Sequence, residues 1–336
     1  MPPAYILAIE TSCDETAAAV LKDGGVILSD IIYSQADIHK KYGGVVPEVA
    51  SRKHLDVISQ VVSEAMGEAG LIFAELDAVA ATYGPGLAGA LLAGLSYAKG
   101  LAYAIKKPLI GVNHIEGHIC ANFLSESAPS PPFVCLVASG GHTHLVAVSG
   151  YTEYRVIGKT RDDACGEAFD KTARALGLGY PGGPIIDAIS KTGDPASINF
   201  PRAMTGDFTN FSFSGLKSAA VNHINKTVSA GAAVNAADVA ASFQRAVVDV
   251  LVEKTVSACK FYKMDVIALS GGVASNSALR AAMSAACGAN GFRLYMPPPA
   301  LCTDNAAMIA RRAFFDCAAG RFDDLSLNAD PGLRLD

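Results

Sequence analysis

The sequence has no tryptophan, and charged residues fill only 18% of its 336 positions. Neither sign of charge dominates. Lys and Arg number 27 against 32 Asp and Glu, a formal net charge of -5. With 51% hydrophobic residues, this composition excludes a disordered chain. The lack of basic excess excludes a tail-type binder of nucleic acid. If the protein handles a polyanion, a partner or a local patch must supply the positive field. The eight cysteines, at 13, 120, 135, 165, 259, 287, 302 and 317, include no Cys-x-x-Cys pair. Neither a zinc ribbon nor a thioredoxin-like site is therefore signalled. Their scatter, and a start without a basic leader, are what free thiols in a reducing cytoplasmic compartment lead one to expect. Long apolar runs are scarce too. The most membrane-like, 86–105, is mostly Ala and Gly and contains Lys99, so it reads as a buried helix.

What the chain does have is Ala- and Gly-rich alternation of strand and helix signals. Segments 5–20 and 133–148 each read as an apolar β-rich run, a small polar loop and a second run. Segments 77–104 and 265–287 each read as strand, Gly-rich loop, helix. The two kinds of unit recur in the same order in each half, the mark of an internal duplication. Ala128-Pro-Ser-Pro-Pro132 is a short hinge between the halves. The expectation is an α/β protein of two duplicated lobes, 1–130 and 131–336, with a cleft between them. Runs 48–69 and 237–262 have helical periodicity suited to covering the sheets.

Two Gly pairs follow buried strands, at Ser139-Gly140-Gly141 and Ser270-Gly271-Gly272. Without Cβ atoms, their amides can approach an anion closely; the alternative is a pair of ordinary tight turns. In duplicated positions facing one cleft, they favour a nucleotide. Gly84-Pro-Gly-Leu-Ala-Gly89 fits a dinucleotide loop, but the acidic residue expected about 20 positions later is missing, with Leu at 109. Gly158-Lys-Thr160 lacks the first glycine of a phosphate loop, because position 153 is Glu.

His114 and His118 lie four apart, one helical turn, and so share a face within reach of one ion. The other reading is an ordinary pair of satisfied or surface histidines. Glu116 follows the first histidine one position too late for a His-Glu-x-x-His metalloprotease, where Ile115 stands instead. A third ligand must come from elsewhere. Asp304 is a candidate, and equally a helix N-cap. Two histidines and a carboxylate with open positions suit non-haem Fe(II), with Zn(II) a substitute. Asp170 lies on a helical stretch and reads as a solvated face. Asp187 enters a helix after a Gly/Pro loop, as a cap-region residue or the holder of a ligand hydroxyl. The polar insertion 194–215 is a lid or a partner surface.

Taken in order, nine motifs stand together: Glu10-Thr-Ser-Cys-Asp-Glu-Thr16, Gly84-Pro-Gly-Leu87, Asn113-His-x-x-x-His118, Ser139-Gly-Gly-His-Thr143, Gly166-Glu-Ala-Phe-Asp-Lys171, Tyr180-Pro-Gly-Gly-Pro184, Phe211-Ser-Phe-Ser-Gly-Leu-Lys217, Leu269-Ser-Gly-Gly-Val-Ala-Ser-Asn276 and Thr303-Asp-Asn305. From about residue 5 to about 325 they closely resemble the bacterial TsaD family, once labelled O-sialoglycoprotein endopeptidase. The resemblance implies an actin/Hsp70/sugar-kinase-like (ASKHA) fold with a nucleotide cleft. It implies an acyltransferase of tRNA modification, moving threonylcarbamoyl from threonylcarbamoyl-AMP to N6 of the adenosine next to the anticodon, in tRNAs reading codons that start with A. Position by position, it implies that His114, His118 and Asp304 hold a metal, with iron the family's ion. It implies that Val137, Ala138, Ser139, Gly140, Gly141, Asp170, Gly183, Asp187 and Asn276 contact the adenylate. Partners implied are tRNA, an inactive paralogue of the same fold (TsaB-like), a small ATPase (TsaE-like) and a separate enzyme that makes the adenylate. A small-molecule carbamoyltransferase or kinase of the same fold is the alternative.

Overall fold

The computed structural model describes residues 4–204, 206 and 209–335. Strands β1 (Tyr5–Glu10), β2 (Glu15–Lys22), β3 (Val26–Ser34), β4 (Ala78–Gly84) and β5 (Leu109–Asn113) form one five-stranded sheet in the order β3-β2-β1-β4-β5. Strands β6 (Phe133–Ala138), β7 (Thr143–Gly150), β8 (Glu153–Lys159), β9 (Val266–Ser270) and β10 (Arg293–Tyr295) form a second, in the order β10-β9-β6-β7-β8. Reversed, this is the first order with each strand replaced by its counterpart. In each sheet the first three strands are an antiparallel meander and the last two join in parallel. The expected duplication is therefore present strand for strand.

The central strands are apolar on both faces because helices cover them. Val134, Leu136 and Ala138 are fully buried in one core, Leu7 and Ile9 in the other. The helices are α1 (Ala36–His39), α2 (Pro47–Ala69), α3 (Ala88–Ile105), α4 (His114–Cys120), α5 (Cys165–Ala175), α6 (Gly182–Ser190), α7 (Ser214–Ser229), α8 (Ala236–Phe261), α9 (Ser277–Asn290), α10 (Pro299–Cys302) and α11 (Ala306–Ala318). Helix α3 is the apolar run flagged above. It is the one described helix long and apolar enough to cross a membrane, and it packs on β4 and α2. Its buried residues are Ala90, Leu91, Ala93, Gly94, Leu95, Ala98 and Ala102, while Tyr103 is exposed.

Two compact units result: Met1–Ala128 with Thr303–Asp336, and Pro129–Cys302. The Pro-rich hinge marks the first crossing. A boundary at 130/131 alone would leave 303–336 with the second half of the sequence. Instead α11 packs on α4, β1 and β2 of the first unit. The reason is its apolar face: Ala306, Ala307, Met308, Ile309, Ala310 and Ala313 are all fully buried there. Residues 205, 207 and 208 of the polar insertion lie outside the described residues. Its end is tied to β8 and the loop after it: the Phe211 amide donates to the Lys159 carbonyl, and the Asp162 carboxylate accepts from the Ser212 and Ser214 hydroxyls and from the Phe213 amide.

Candidate metal centre and anion loops

Asn113 ends β5 and caps α4, its side chain accepting the Ile115 and Glu116 amides. That cap starts the helix at His114 and puts His114 and His118 on one face, ring centroids 4.6 Å apart. Asp304 sits just before α11. The cap of that helix is Asn305, which accepts the Met308 amide. The N-cap reading of Asp304 is thereby corrected, and its carboxylate turns to the histidines. One oxygen lies 3.1 Å from His118 Nε2 and 3.7 Å from His114 Nε2. One ligand atom from each of the three residues lies within 4.8 Å of the others. Metal bonds of about 2.1 Å place neighbouring donors roughly 3.0–3.4 Å apart, so the spacing suits one ion. All three residues belong to the first unit. A lobe boundary at 130/131 would put Asp304 in the second lobe, apart from the histidines; the return of α11 to the first sheet places all three in one unit.

The donors are prepared differently. His114 Nδ1 lies 3.1 Å from the Glu10 carboxylate and 3.1 Å from Ser12 Oγ, which leaves Nε2 for an ion. Glu10 is fully buried and also receives the Thr82 hydroxyl and the Ser12 amide. Burial alone would raise the Glu10 pKa; the His114 imidazole beside it brings the net value below the usual carboxylate range. Burial likewise opposes charge on His114, but the carboxylates of Glu10 and Asp304 outweigh it and push the pKa up to about 9. The pocket is built to hold positive charge. His118 is fully buried, yet neither ring nitrogen has a hydrogen-bond partner among the described residues. The Asp304 carboxylate lies 3.1 Å from Nε2, and a divalent cation held between the two would engage both. The residues present therefore fit a metal. Glu10 and Ser12 escaped the sequence reading as supports of His114, because only the β1–β2 loop brings them there from about a hundred residues away.

The second unit holds the glycine loops. β6 and β9 are parallel neighbours, with Val137 paired to Ser270, so the segments after both strands leave from one edge. Ligands in open α/β sheets lie at such carboxyl ends. Gly271 has φ +83°, and a Cβ there would fall 2.4 Å from the Ala138 carbonyl oxygen. Only glycine lets these two loops touch. Gly140 and Gly141 are exposed, and added Cβ atoms would meet nothing within 4 Å. Neither has positive φ. Ser139 is anchored by its amide to the His142 carbonyl and by its hydroxyl to the His142 amide.

The other predicted residues gather around these loops. Asp170 on α5 accepts the Gly182 amide at 2.7 Å, at the start of α6, next to Gly183. Asp187 accepts the Ser277 hydroxyl and amide at 2.8 and 3.2 Å. Asn276 caps α9 and donates to Gln244, which donates to Ser190. Val137 and Ala138 are buried strand residues that deliver the loop. Gly166, Gln244, Ser190 and Ser277 were not anticipated. Gly166 carried a signal as the first residue of the Gly166–Lys171 motif; in the structure its amide donates to the Ser139 carbonyl, and a Cβ would meet that oxygen at 2.5 Å.

The Gly84–Gly89 loop holds no such opening. A Cβ on Gly84 would lie 2.0 Å from the Asp330 carbonyl, and the Gly86 and Leu87 amides already donate to Pro331 and Ser12 carbonyls. Its glycines serve packing, in accord with the missing acidic residue.

Comparison with known proteins bears on the family and the fold. The family model described as TsaD, tRNA N6-adenosine threonylcarbamoyltransferase, matches residues 26–311. The tRNA N6-adenosine threonylcarbamoyltransferase of Clostridium perfringens (strain 13 / Type A) is 58% identical over 336 residues, covering 100% of this chain and 99% of that protein. The protein of the same name from Clostridium botulinum (strain Kyoto / Type A2) is 59% identical over 331 residues, covering 98% and 97%. Among solved structures, full-length HypF in its phosphate- and nucleotide-bound form is similar, with TM-score 0.63 and 13% identity over 94% of this chain and 46% of that one. The activator of 2-hydroxyisocaproyl-CoA dehydratase from Clostridium difficile with bound ADPNP has TM-score 0.52 and 14% identity over 95% and 96%. At such identities the structures speak for the fold alone, which is of the ASKHA type. The full-length sequence matches go further: the chain belongs to the TsaD family, the tRNA N6-adenosine threonylcarbamoyltransferases.

Proposed function

We propose that this chain transfers the threonylcarbamoyl group of threonylcarbamoyl-AMP to N6 of the adenosine next to the anticodon, in tRNAs reading codons that start with A. The observation that carries the reading is His118, buried and without a hydrogen-bond partner beside Asp304 and His114. His114, His118 and Asp304 would hold one divalent ion, Fe(II) first, with Zn(II) able to replace it. When bound, such an ion supplies Lewis-acid polarisation of the donor carbonyl or its neighbouring phosphate. Glu10 and Ser12 hold the His114 ring through Nδ1, so that Nε2 faces the Asp304 carboxylate.

The adenylate would lie against Val137, Ala138, Ser139, Gly140 and Gly141, with Asp170, Gly183, Asp187 and Asn276 around it. The free space over Gly140 and Gly141 supports this, because amides without a Cβ reach a phosphate closely. Asp170 and Asp187 already accept from Gly182 and Ser277, which fixes their carboxylates for ribose hydroxyls. In the transfer, N6 bonds to the carbamoyl carbon, the bond from that carbon to the phosphate oxygen breaks, N6 loses one proton and AMP departs. The loop residues hold the leaving AMP, so the chemistry needs no covalent enzyme nucleophile.

The working system would be cytoplasmic and include tRNA, the TsaB-like paralogue, the TsaE-like ATPase and a separate source of the adenylate. The test is mass spectrometry of tRNA nucleosides from cells depleted of this protein. Loss of threonylcarbamoyladenosine, restored by the wild-type gene but not by His118→Ala, is expected. An unchanged nucleoside profile would overturn the reading.

A further inference from the structure

Glu116 stands between the two histidines, two positions from each. On a helix that spacing turns it away from the ion-binding face. The structure shows what it does there. Its Oε2 receives Nε of Arg312, on α11. The same guanidinium gives Nη1 to Asp316. Arg321 then closes on the other Asp316 oxygen through Nε and Nη2, at 2.9 and 2.6 Å. Arg312 is only 9% exposed. The side chains of Glu116 and Asp316 are 17% and 13% exposed, so the cluster is largely out of water.

The same two helices also meet at Gly117. A Cβ at that position would lie 2.6 Å from Ile309 Cδ1, so the Ile309 and Met308 side chains of α11 pack onto the bare backbone of α4 there. One residue from that apolar contact is the Glu116–Arg312 pair. α4 carries both histidines, and Asp304 sits two residues before α11 begins. Arg312 lies six residues beyond Ala306, where α11 begins, about 9 Å along the helix, close enough for a rigid rod to transmit its placement to the segment that carries Asp304.

We propose that Glu116 and Arg312 are a positioning pair, which locks α4 against α11 and thereby sets the distance from the two imidazoles to the Asp304 carboxylate. The inference rests on the metal reading of His114, His118 and Asp304. Metal sites tolerate only about 0.2 Å of error in ligand distance, so a small slip of α11 over α4 is enough to weaken one. Arg is needed rather than Lys, because one planar fork reaches two carboxylates at once. Loss of the Glu116 charge leaves the buried guanidinium with one carboxylate instead of two, and loss of the Arg312 fork leaves Glu116 without its hydrogen-bonded cation; either change drives the helices to readjust.

The test is titration of the full chain with Zn(II), by competition against a chromophoric chelator, and with Co(II), read by its d–d absorption. The variants are Glu116→Gln, Arg312→Lys and the double variant, with His118→Ala as the control for the site itself. Each single variant is expected to weaken Zn(II) binding about 10-fold, as loss of a group that orients ligands does, and to change the Co(II) spectrum. The double variant is expected to lose no more than either single one, because each already breaks the same pair. A purely structural role would lower the melting temperature and leave the Co(II) spectrum alone. Wild-type affinity and spectrum in folded Arg312→Lys would overturn the positioning role and leave the metal reading intact. Wild-type affinity in His118→Ala would overturn the metal reading and this inference with it.

Discussion

His118 and Gly141 are the two residues where a single change speaks most directly to chemistry. His118→Ala removes an imidazole that makes no hydrogen bond of its own among the described residues. The expected outcome is a folded chain with little bound metal and little transfer activity, checked by elemental analysis beside circular dichroism. Full metal occupancy would reject the ligand set. Gly141 offers a cleaner contrast. A Cβ there would have no heavy atom within 4 Å, so Gly141→Val is expected to leave stability nearly unchanged and weaken adenylate or ATP binding at least 10-fold by calorimetry. Gly271→Ala is the opposite case. It combines positive φ with a 2.4 Å overlap on the Ala138 carbonyl, and is expected to destabilise by roughly 2–4 kcal/mol in denaturant unfolding. Two glycines of similar appearance in the sequence thus divide, one exposing backbone and the other joining two loops.

Elements decide which of these residues meet, and here the sequence was legible in parts. The β1–β2 and β6–β7 meanders, the strand-loop-helix units and the helical spacing of His114 and His118 all follow from local periodicity. The return of α11 to the first sheet does not, because no local pattern says which of two similar sheets an Ala-rich face will cover. For the same reason Asp304 read as a cap, although Asn305 does the capping. Asp30 on β3 shows what that return costs. It accepts the Ala306 amide at 3.2 Å, at the start of α11. Burial is the larger effect, however, and pushes its pKa from 3.8 up to about 6 against the pull of the Ala306 and Ala307 amides. A raised acid pKa means that the folded state binds the proton more tightly than the unfolded state. Stability from this group is therefore present below about pH 4 and lost as pH rises toward 6. Asp30→Asn keeps the acceptor oxygen and removes the titration. It is expected to be more stable than wild type near neutrality by on the order of 1–2 kcal/mol, the full shift being discounted for partial exposure. The difference should shrink toward pH 4, and denaturant unfolding of both proteins between pH 4 and 7.5 measures it. A gap that stays constant with pH would mean that the Asp30 proton is not what changes.

At the scale of the whole chain, the repeated strand order explains how one protein can carry two kinds of candidate site. Matching loops end matching strands in the two sheets. The β1–β2 loop supplies Ser12 to His114, while the β6–β7 loop presents Gly140 and Gly141. Duplication was visible in the order of motifs, but this division of labour was not, since it depends on which residues each loop meets. The charge balance then sets what the chain can do alone. A formal charge of -5, with basic residues in small groups such as Lys40-Lys41, Arg52-Lys53 and Arg311-Arg312, gives little to neutralise phosphates. Several of those groups are also engaged within the chain: Lys40 with Asp37, Arg52 with Glu48, and Arg312 with Glu116 and Asp316. Binding of tRNA by the isolated protein is therefore expected to be weak at physiological salt, with a shallow salt dependence. Addition of the TsaB-like paralogue and the TsaE-like ATPase is expected to raise transfer from threonylcarbamoyl-AMP from slow or undetectable to multiple turnover. Omitting each component in turn and analysing the tRNA nucleosides decides the matter. Nanomolar tRNA affinity for the isolated chain, or full-rate turnover by it alone, would mean that its few unengaged cations are gathered into one surface strong enough to replace a partner.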